Sequence, residues 1–248
     1  MFPYFNVLGR AIPSYGVMVA VGILISIVVL LIGCKKLDKS FDDVIYIYAF
    51  SLIGIFLGAR LLFTLVEIPQ YGITFETVFC GGFVFWGGFI GGWLASIAAA
   101  RYFEKDISDY YPILVPAAIL FAGFGRIGCF LTGCCYGQES EIYGLSYSCS
   151  QIAPNGIPLI PIQLIEAVFD FTLAFLLFGK KHAMNRYAWM YSMFRFIAEF
   201  FRGDAARGFI GVLSVSQCIS LVVLVVVVVR GVIVREGCSE LINDPLKT

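Results

Sequence analysis

Residues Ile12–Cys34 read IPSYGVMVAVGILISIVVLLIGC, 23 positions without one charged side chain. As a helix rising 1.5 Å per residue this run reaches about 34 Å, enough to cross ~30 Å of hydrocarbon. Met1-Phe2-Pro3-Tyr4 ahead of it lacks a positively charged leader, and no cleavage-site pattern ends it. The expectation is a retained helix, not a secretory signal. Six more apolar runs follow: Val44–Glu67, Val78–Ala100, Tyr111–Cys135, Leu159–Phe178, Tyr187–Phe201 and Ile210–Val234. The sixth of the seven is short and carries charges. Continuous runs, not alternating strands, exclude a closed barrel. The fold class predicted is an all-α integral membrane protein with about seven transmembrane helices. It forms a single polytopic domain, residues 1–248, with 136–158 an extracytoplasmic segment and 236–248 a cytoplasmic tail.

Composition agrees. Of 248 residues 60% are hydrophobic and 14% charged, and the mean hydropathy is +0.89. Soluble domains carry about 25% charged residues, and a globule of this size has too little interior to hide so much apolar surface. Seventeen basic and seventeen acidic residues cancel, so there is no basic field for nucleic acid.

Lysine and arginine outside the runs give the orientation. One set of connections holds Lys35, Lys36, Lys39, Arg101, Lys105, Lys180, Lys181 and Arg186, and the inner end of the seventh run with the tail after it adds Arg230, Arg235 and Lys247. The opposite side holds only Arg10, Arg202 and Arg207. Eleven against three, alternating along the chain, predicts an outside N-terminus and a cytoplasmic C-terminus.

Arg60, Arg126 and Arg195 fall inside the runs. A charge at membrane depth costs at least ~2.5 kcal/mol and faces a partner or cavity unless it snorkels to the headgroups. Tracing the direction of each helix brings Tyr15, Arg60, Trp86, Arg126, Gln163, Arg195, Glu199 and Arg202 to the same outer leaflet. Random snorkelling would scatter the arginines over both. Tyr191, Arg195, Glu199 and Arg202, spaced four, four and three, fall within about 80° of arc on one helix. A structural Arg195–Glu199 pair is the plainer reading of that stripe, but it does not require Tyr191 or Arg202. Gln163, Glu166 and Asp170 share a face of the fifth helix, the last two deeper and open to a purely structural role.

Two segments are dense in glycine, Gly81–Gly92 and Gly123–Gly137. Small residues four apart, Gly87 with Gly91 and Gly88 with Gly92, let helices approach closely. Backbone close to Arg126 also suits a phosphate, which arginine holds bidentately. The single histidine, His182, lies in a basic loop, which excludes a histidine triad or a histidine-ligated zinc in the outer half. No metal and no cofactor is expected. Cys80, Cys134, Cys135 and Cys149 sit at or beyond the outer boundary, where a disulfide from Cys149 to Cys134 or Cys135 is one option. Cys34, Cys218 and Cys238 read as apolar filler.

The stretch Gly125-Arg126-Ile127-Gly128-Cys129-Phe130-Leu131-Thr132-Gly133-Cys134-Cys135-Tyr136-Gly137 resembles the fourth-helix signature of bacterial prolipoprotein diacylglyceryl transferases. Pro13-Ser14-Tyr15-Gly16, Gly58-Ala59-Arg60-Leu61, Trp86-Gly87-Gly88-Phe89-Ile90-Gly91, Pro161-Ile162-Gln163-Leu164-Ile165-Glu166 and Arg195-Phe196-Ile197-Ala198-Glu199-Phe200-Phe201-Arg202 are similar to that family's other helix motifs, in order. The resemblance implies transfer of the diacylglyceryl group of phosphatidylglycerol to the lipobox cysteine thiol of a preprolipoprotein in the bacterial plasma membrane, with glycerol phosphate released. It implies catalytic roles for Arg126, Arg195 and Glu199. Binding of membrane lipid and peptide falls to Tyr15, Arg60, Gly87, Gly88, Gln163, Tyr191 and Arg202.

The chain also departs from the family pattern. Trp86 stands where many members have histidine, Cys129 and Thr132 replace two asparagines, and Cys134 replaces a glutamate. Either the thiol is activated differently here, or the protein binds anionic phospholipid without transferring it. A transporter of an anionic solute is the third reading. Under it Glu166 and Asp170 would be essential, whereas an outer-leaflet transferase would barely feel their loss.

Overall fold

The computed structural model describes residues 2–7, 9–80, 82–204 and 209–243. Gly81, Arg207 and Lys247 lie outside the described residues, as do the side chains of Cys80, Arg235 and Cys238. Among the described residues the α-helices are α1 Ser14–Leu37, α2 Phe41–Tyr71, α3 Phe85–Tyr102, α4 Tyr111–Thr132, α5 Ile162–Leu177, α6 Ala183–Ala198 and α7 Val215–Asn243. Among the same residues three segments, Ser14–Leu37, Phe41–Ile68 and Tyr111–Thr132, are long and apolar enough to cross a membrane.

Many apolar side chains of the helices point outward. Leu57, Leu61 and Leu65 on α2 are each more than half exposed, as are Val222, Val225 and Val228 on α7. Gln163, Glu166, Asp170, Arg195, Glu199 and Arg202 are buried instead. Buried charged groups beside so much outward aliphatic surface suit surroundings of hydrocarbon better than water.

The helix ends differ from the hydropathy reading where turn chemistry intervenes. Ile12 and Pro13 belong to a hairpin, β1 Tyr4–Val7 paired antiparallel with β2 Arg10–Pro13. The Ser14 amide and hydroxyl both donate to the Pro3 carbonyl at 3.0 Å, fixing where α1 begins. The third run opens with a π-helical turn at Glu76–Cys80, and α3 starts only at Phe85. Gly133, at φ +81°, stops α4 before Cys134 and Cys135. Pro158 and Leu159 form a strand with Leu145–Ser146 (β4 and β3), and Pro161 caps α5. Glu199–Phe201 tightens into a 3₁₀ turn after α6. Residues Phe209–Ile210 and Leu213–Ser214 pair as β5 and β6 ahead of α7.

The chain packs as two compact units, residues 27–114 and residues 1–26 with 115–248. Within the first, α2 and α3 touch through backbone. A Cβ on Gly58 would overlap the Gly87 carbonyl oxygen, and one on Gly91 the Gly54 carbonyl oxygen. Glycines four apart on both helices therefore set the contact. One end of this unit is clasped by Lys105–Asp43 at 2.8 Å and Lys39–Asp109 at 3.1 Å.

Candidate functional site

The second unit carries a buried chain of charges built by α4, α5 and α6. Glu166 on α5 stands at its centre. Its Oε2 lies 3.1 Å from Arg126 Nε on α4, and its Oε1 accepts a hydrogen bond from Arg195 Nη1 on α6. Arg195 Nη2 in turn lies 2.8 Å from Glu199 Oε2. Glu166 is 3% exposed and the Arg126 side chain 13%. Helical spacing explains the convergence. Gln163, Glu166 and Asp170 recur at three and four residues and all are buried on the inner face of α5. Tyr187, Tyr191 and Arg195 recur at four on α6, with the two tyrosine rings stacked 5.2 Å apart. Phe169 and Phe194 stack at 3.8 Å and hold α5 against α6.

Hydropathy depth set Glu166 apart from the arginines, yet the structure makes it the anion shared by both Arg126 and Arg195. An arginine side chain spans several ångströms, so a guanidinium meets partners well away from the depth of its own Cα. Asp170, one turn further, interacts electrostatically with Arg126, Arg195 and Glu166.

The remaining predicted residues of this unit gather around the chain. Tyr15, the second residue of α1, packs on α4 where Gly128 leaves room for its ring, and it interacts electrostatically with Arg126 and with Cys129, Cys134 and Cys135. Tyr191 does the same with Arg126 and Arg195. Gln163 is fully buried. Its Nε2 donates to the Cys134 carbonyl at 2.7 Å and to the Tyr147 hydroxyl at 3.0 Å, while its Oε1 has no hydrogen-bond partner among the described residues. Burial pushes the Tyr147 phenol up, so it stays neutral.

Arg202 departs from the helical stripe. The chain leaves the helix before it, at φ −77° and ψ 141°, and its guanidinium makes two bonds to Asp204, at 2.9 and 2.7 Å. Its backbone bridges to Gly137. Gln138 N donates to the Phe201 carbonyl at 2.8 Å, Gly203 N to the Tyr136 carbonyl at 3.0 Å, and Ile160 N to the Gln138 carbonyl at 2.9 Å. The segment after α4 thus ties together the start of α5 and the end of α6.

Arg60, Gly87 and Gly88 belong to the other unit. Arg60 donates to the carbonyls of Val78, Gly82 and Thr77 at 2.7, 3.1 and 3.3 Å, which anchors the connection between α2 and α3. Gly87 packs on Gly58, and Gly88 on Ile55. Trp86 is half-buried, with its ring against Phe85 and Phe89.

Two features escaped the sequence reading. Cys134 and Cys135 fold back onto Cys129, so that the three sulfurs lie within 4.8 Å of one another. Cys149 is exposed, and Cys134, Cys135 and Cys149 are all free thiols. The Asp204 partner of Arg202 was also missed, although an acid two residues after the arginine was a visible signal.

Residues 3–233 match the family model described as prolipoprotein diacylglyceryl transferase. The chain is similar to the phosphatidylglycerol–prolipoprotein diacylglyceryl transferase of Clostridium tetani (strain Massachusetts / E88), with 35% identity over 232 residues, covering 90% of this chain and 93% of that protein. It is 34% identical to phosphatidylglycerol–prolipoprotein diacylglyceryl transferase 2 of Clostridium perfringens (strain 13 / Type A), with coverage of 89% and 90%. The phosphatidylglycerol–prolipoprotein diacylglyceryl transferase of Geobacter sulfurreducens (strain ATCC 51573 / DSM 12127 / PCA) is 32% identical, with coverage of 83% and 84%.

Proposed function

The chain belongs to the prolipoprotein diacylglyceryl transferase family, and from that premise we propose how it acts. It transfers the diacylglyceryl group of phosphatidylglycerol to the cysteine thiol of a preprolipoprotein. The sulfur forms a bond to the glyceryl carbon, the carbon–oxygen bond to phosphate breaks, and glycerol phosphate leaves. The protein spans the bacterial plasma membrane with seven helices, its N-terminus outside, and works in the outer leaflet. The alternation of basic connections supports that orientation.

The observation that carries the mechanism is the buried alternation Arg126, Glu166, Arg195, Glu199. Its formal charges cancel at rest. The phosphodiester headgroup gains a further negative charge as it leaves, so useful stabilisation must grow during the reaction. Glu199, at the end of the chain, takes the proton of the attacking thiol. Protonation leaves one net positive charge on the two arginines as the leaving phosphate develops its own. The cluster therefore favours the transition state over the bound lipid.

Gln163 offers its unpaired buried oxygen to a donor on the peptide or the glycerol, since a buried acceptor without a partner costs about 1–3 kcal/mol until one arrives. Tyr15 and Tyr191 position the headgroup, and Arg202, held by Asp204, shapes the rim. Arg60, Gly87 and Gly88 act on lipid binding through the packing of α2 on α3, because the Arg60 guanidinium is already engaged by three carbonyls.

The decisive assay places the protein in phosphatidylglycerol nanodiscs with a synthetic lipobox peptide and weighs the peptide by mass spectrometry. The expected result is a diacylglyceryl thioether on the peptide cysteine that Arg126→Ala abolishes. Folded protein that binds phosphatidylglycerol yet leaves the peptide unmodified would sink the transferase reading.

A further inference from the structure

We propose that Cys129, Cys134 and Cys135 form a three-thiolate site for a thiophilic divalent cation of the zinc type, with a fourth position open to the substrate's cysteine sulfur. The second clause rests on the transferase reading; the first does not.

The three Sγ atoms lie within 4.8 Å of one another. Ligands at a Zn–S distance of ~2.3 Å in tetrahedral array stand roughly 3.8 Å apart, so the thiols need to close by about 1 Å at most. The backbone is bent to bring them there. The amides of Gly133 and Cys134 both donate to the Cys129 carbonyl, at 2.9 and 3.1 Å. Gly133 is left-handed at φ +81°, and so is Cys135 at φ +60°. A non-glycine residue in that region is strained by roughly 1–2 kcal/mol, and the strained residue is itself one of the three thiols. A disulfide would consume two of them and leave the third without a role.

Charge and access fit a metal. Three thiolates on a divalent cation carry one net negative charge, and Cys135 interacts electrostatically with Arg202 and Arg126. All three cysteines are only partly buried. Among the described residues no fourth histidine, cysteine or carboxylate joins the set. Three protein ligands with the fourth place open is the pattern of catalytic zinc sites, and closed four-ligand sets are that of structural ones. The histidine count excluded imidazole ligands and said nothing of thiols.

The cluster also touches the site already described. Arg126 is one helical turn before Cys129, and the Cys134 carbonyl accepts from Gln163. A cation at the open position acidifies the thiol that reaches it. The incoming cysteine passes its proton to Glu199 as its sulfur attacks. Its sulfur electron pair then forms the bond to the glyceryl carbon while the carbon–oxygen pair departs with glycerol phosphate. The product thioether is neutral, a poorer ligand, and it dissociates.

The test uses the full chain, reduced, in phosphatidylglycerol nanodiscs. Titration with Cd²⁺ should give sulfur-to-metal charge transfer in the near ultraviolet saturating at one equivalent. Cys129→Ser and Cys134→Ser should each abolish it, and Cys149→Ser should not. With Co²⁺ bound, a cysteine lipobox peptide should shift the visible bands and its serine analogue should not. Chelation should lower transfer at least tenfold, and Zn²⁺ should restore it. Absence of the Cd²⁺ signal in the wild-type chain, or a Cys129–Cys134 or Cys129–Cys135 disulfide in the purified protein, overturns the proposal without recourse to any variant. Transfer that survives chelation, or a cobalt spectrum indifferent to the peptide, overturns the open fourth position. A metal signal without any thioether product, even in the presence of Zn²⁺, faults the transferase reading and leaves the thiolate site standing.

Discussion

Glu166 bears on both central arginines, and its replacement is the sharpest probe of the charge chain. Glu166→Gln keeps the shape of the side chain and removes its charge, leaving two guanidinium groups with one buried anion fewer. Breaking one partner from a buried ion pair typically costs about 3–5 kcal/mol. We expect lower thermal stability in detergent and a fall in thioether formation of at least about a hundredfold. The mass-spectrometric assay checks the second, and wild-type rates would show Glu166 to be structural bulk. Gln163→Leu should raise the KM for the peptide or lipid more than it lowers kcat, because it removes a binding contact and leaves the charges in place. The residue types were legible in the sequence: the stripe Tyr191, Arg195, Glu199 follows the helical period. The hub was not, because spacing along one helix shows which residues share a face and not which residue of another helix meets them. The return of Cys134 and Cys135 to Cys129 was hidden for another reason. It depends on a left-handed residue that is not glycine, and sequence gives little warning of that.

At the level of elements, α2 and α3 meet through glycines whose loss has a predictable sign. Gly58→Val would drive a side chain into the Gly87 carbonyl and force the helices apart. Overpacking of this kind costs roughly 1–3 kcal/mol, so the melting temperature in detergent should drop. Gly125→Ala on α4 is the contrast. Nothing lies within 4 Å of the added methyl, and alanine gains roughly 0.5–1 kcal/mol over glycine in a helix interior, so its melting temperature should hold or rise. Equal losses from both substitutions would refute the packing account. Hydropathy located all seven helices because each is apolar along most of its length. It misplaced their ends where proline or glycine decided the matter, as at Pro161 and Gly133. It also missed the Tyr4–Pro13 hairpin, since two strands of four residues are too short for a period to register.

For the molecule as a whole, the outward aliphatic surface suits a hydrocarbon solvent, and the proposed direction rests on the basic connections. Cys149 is exposed in the segment assigned to the outside. A membrane-impermeant maleimide added to intact spheroplasts should therefore label Cys149, and Cys149→Ser should lose that label. In a Cys149→Ser background, Lys181→Cys should react only after the membrane is opened. The opposite pattern would invert the orientation and remove the site from the outer leaflet.

The lacing of Tyr136–Gln138 to Ile160 and to Phe201–Gly203 also governs the order in which the protein can come into being. Glu166 leaves the ribosome after Arg126 and before Arg195, so for the interval between α5 and α6 it has a single cationic partner to accompany it out of water. The backbone tie to residues 201–203 cannot form until α6 has followed. A nascent chain halted after α5 would hold an unfinished charge chain and an untied segment after α4. The last acid of the charge chain, Glu199, arrives just after α6, and the tie at residues 201–203 and the Arg202–Asp204 pair follow it, so the proposed site is completed only once the 3₁₀ turn after α6 has been made.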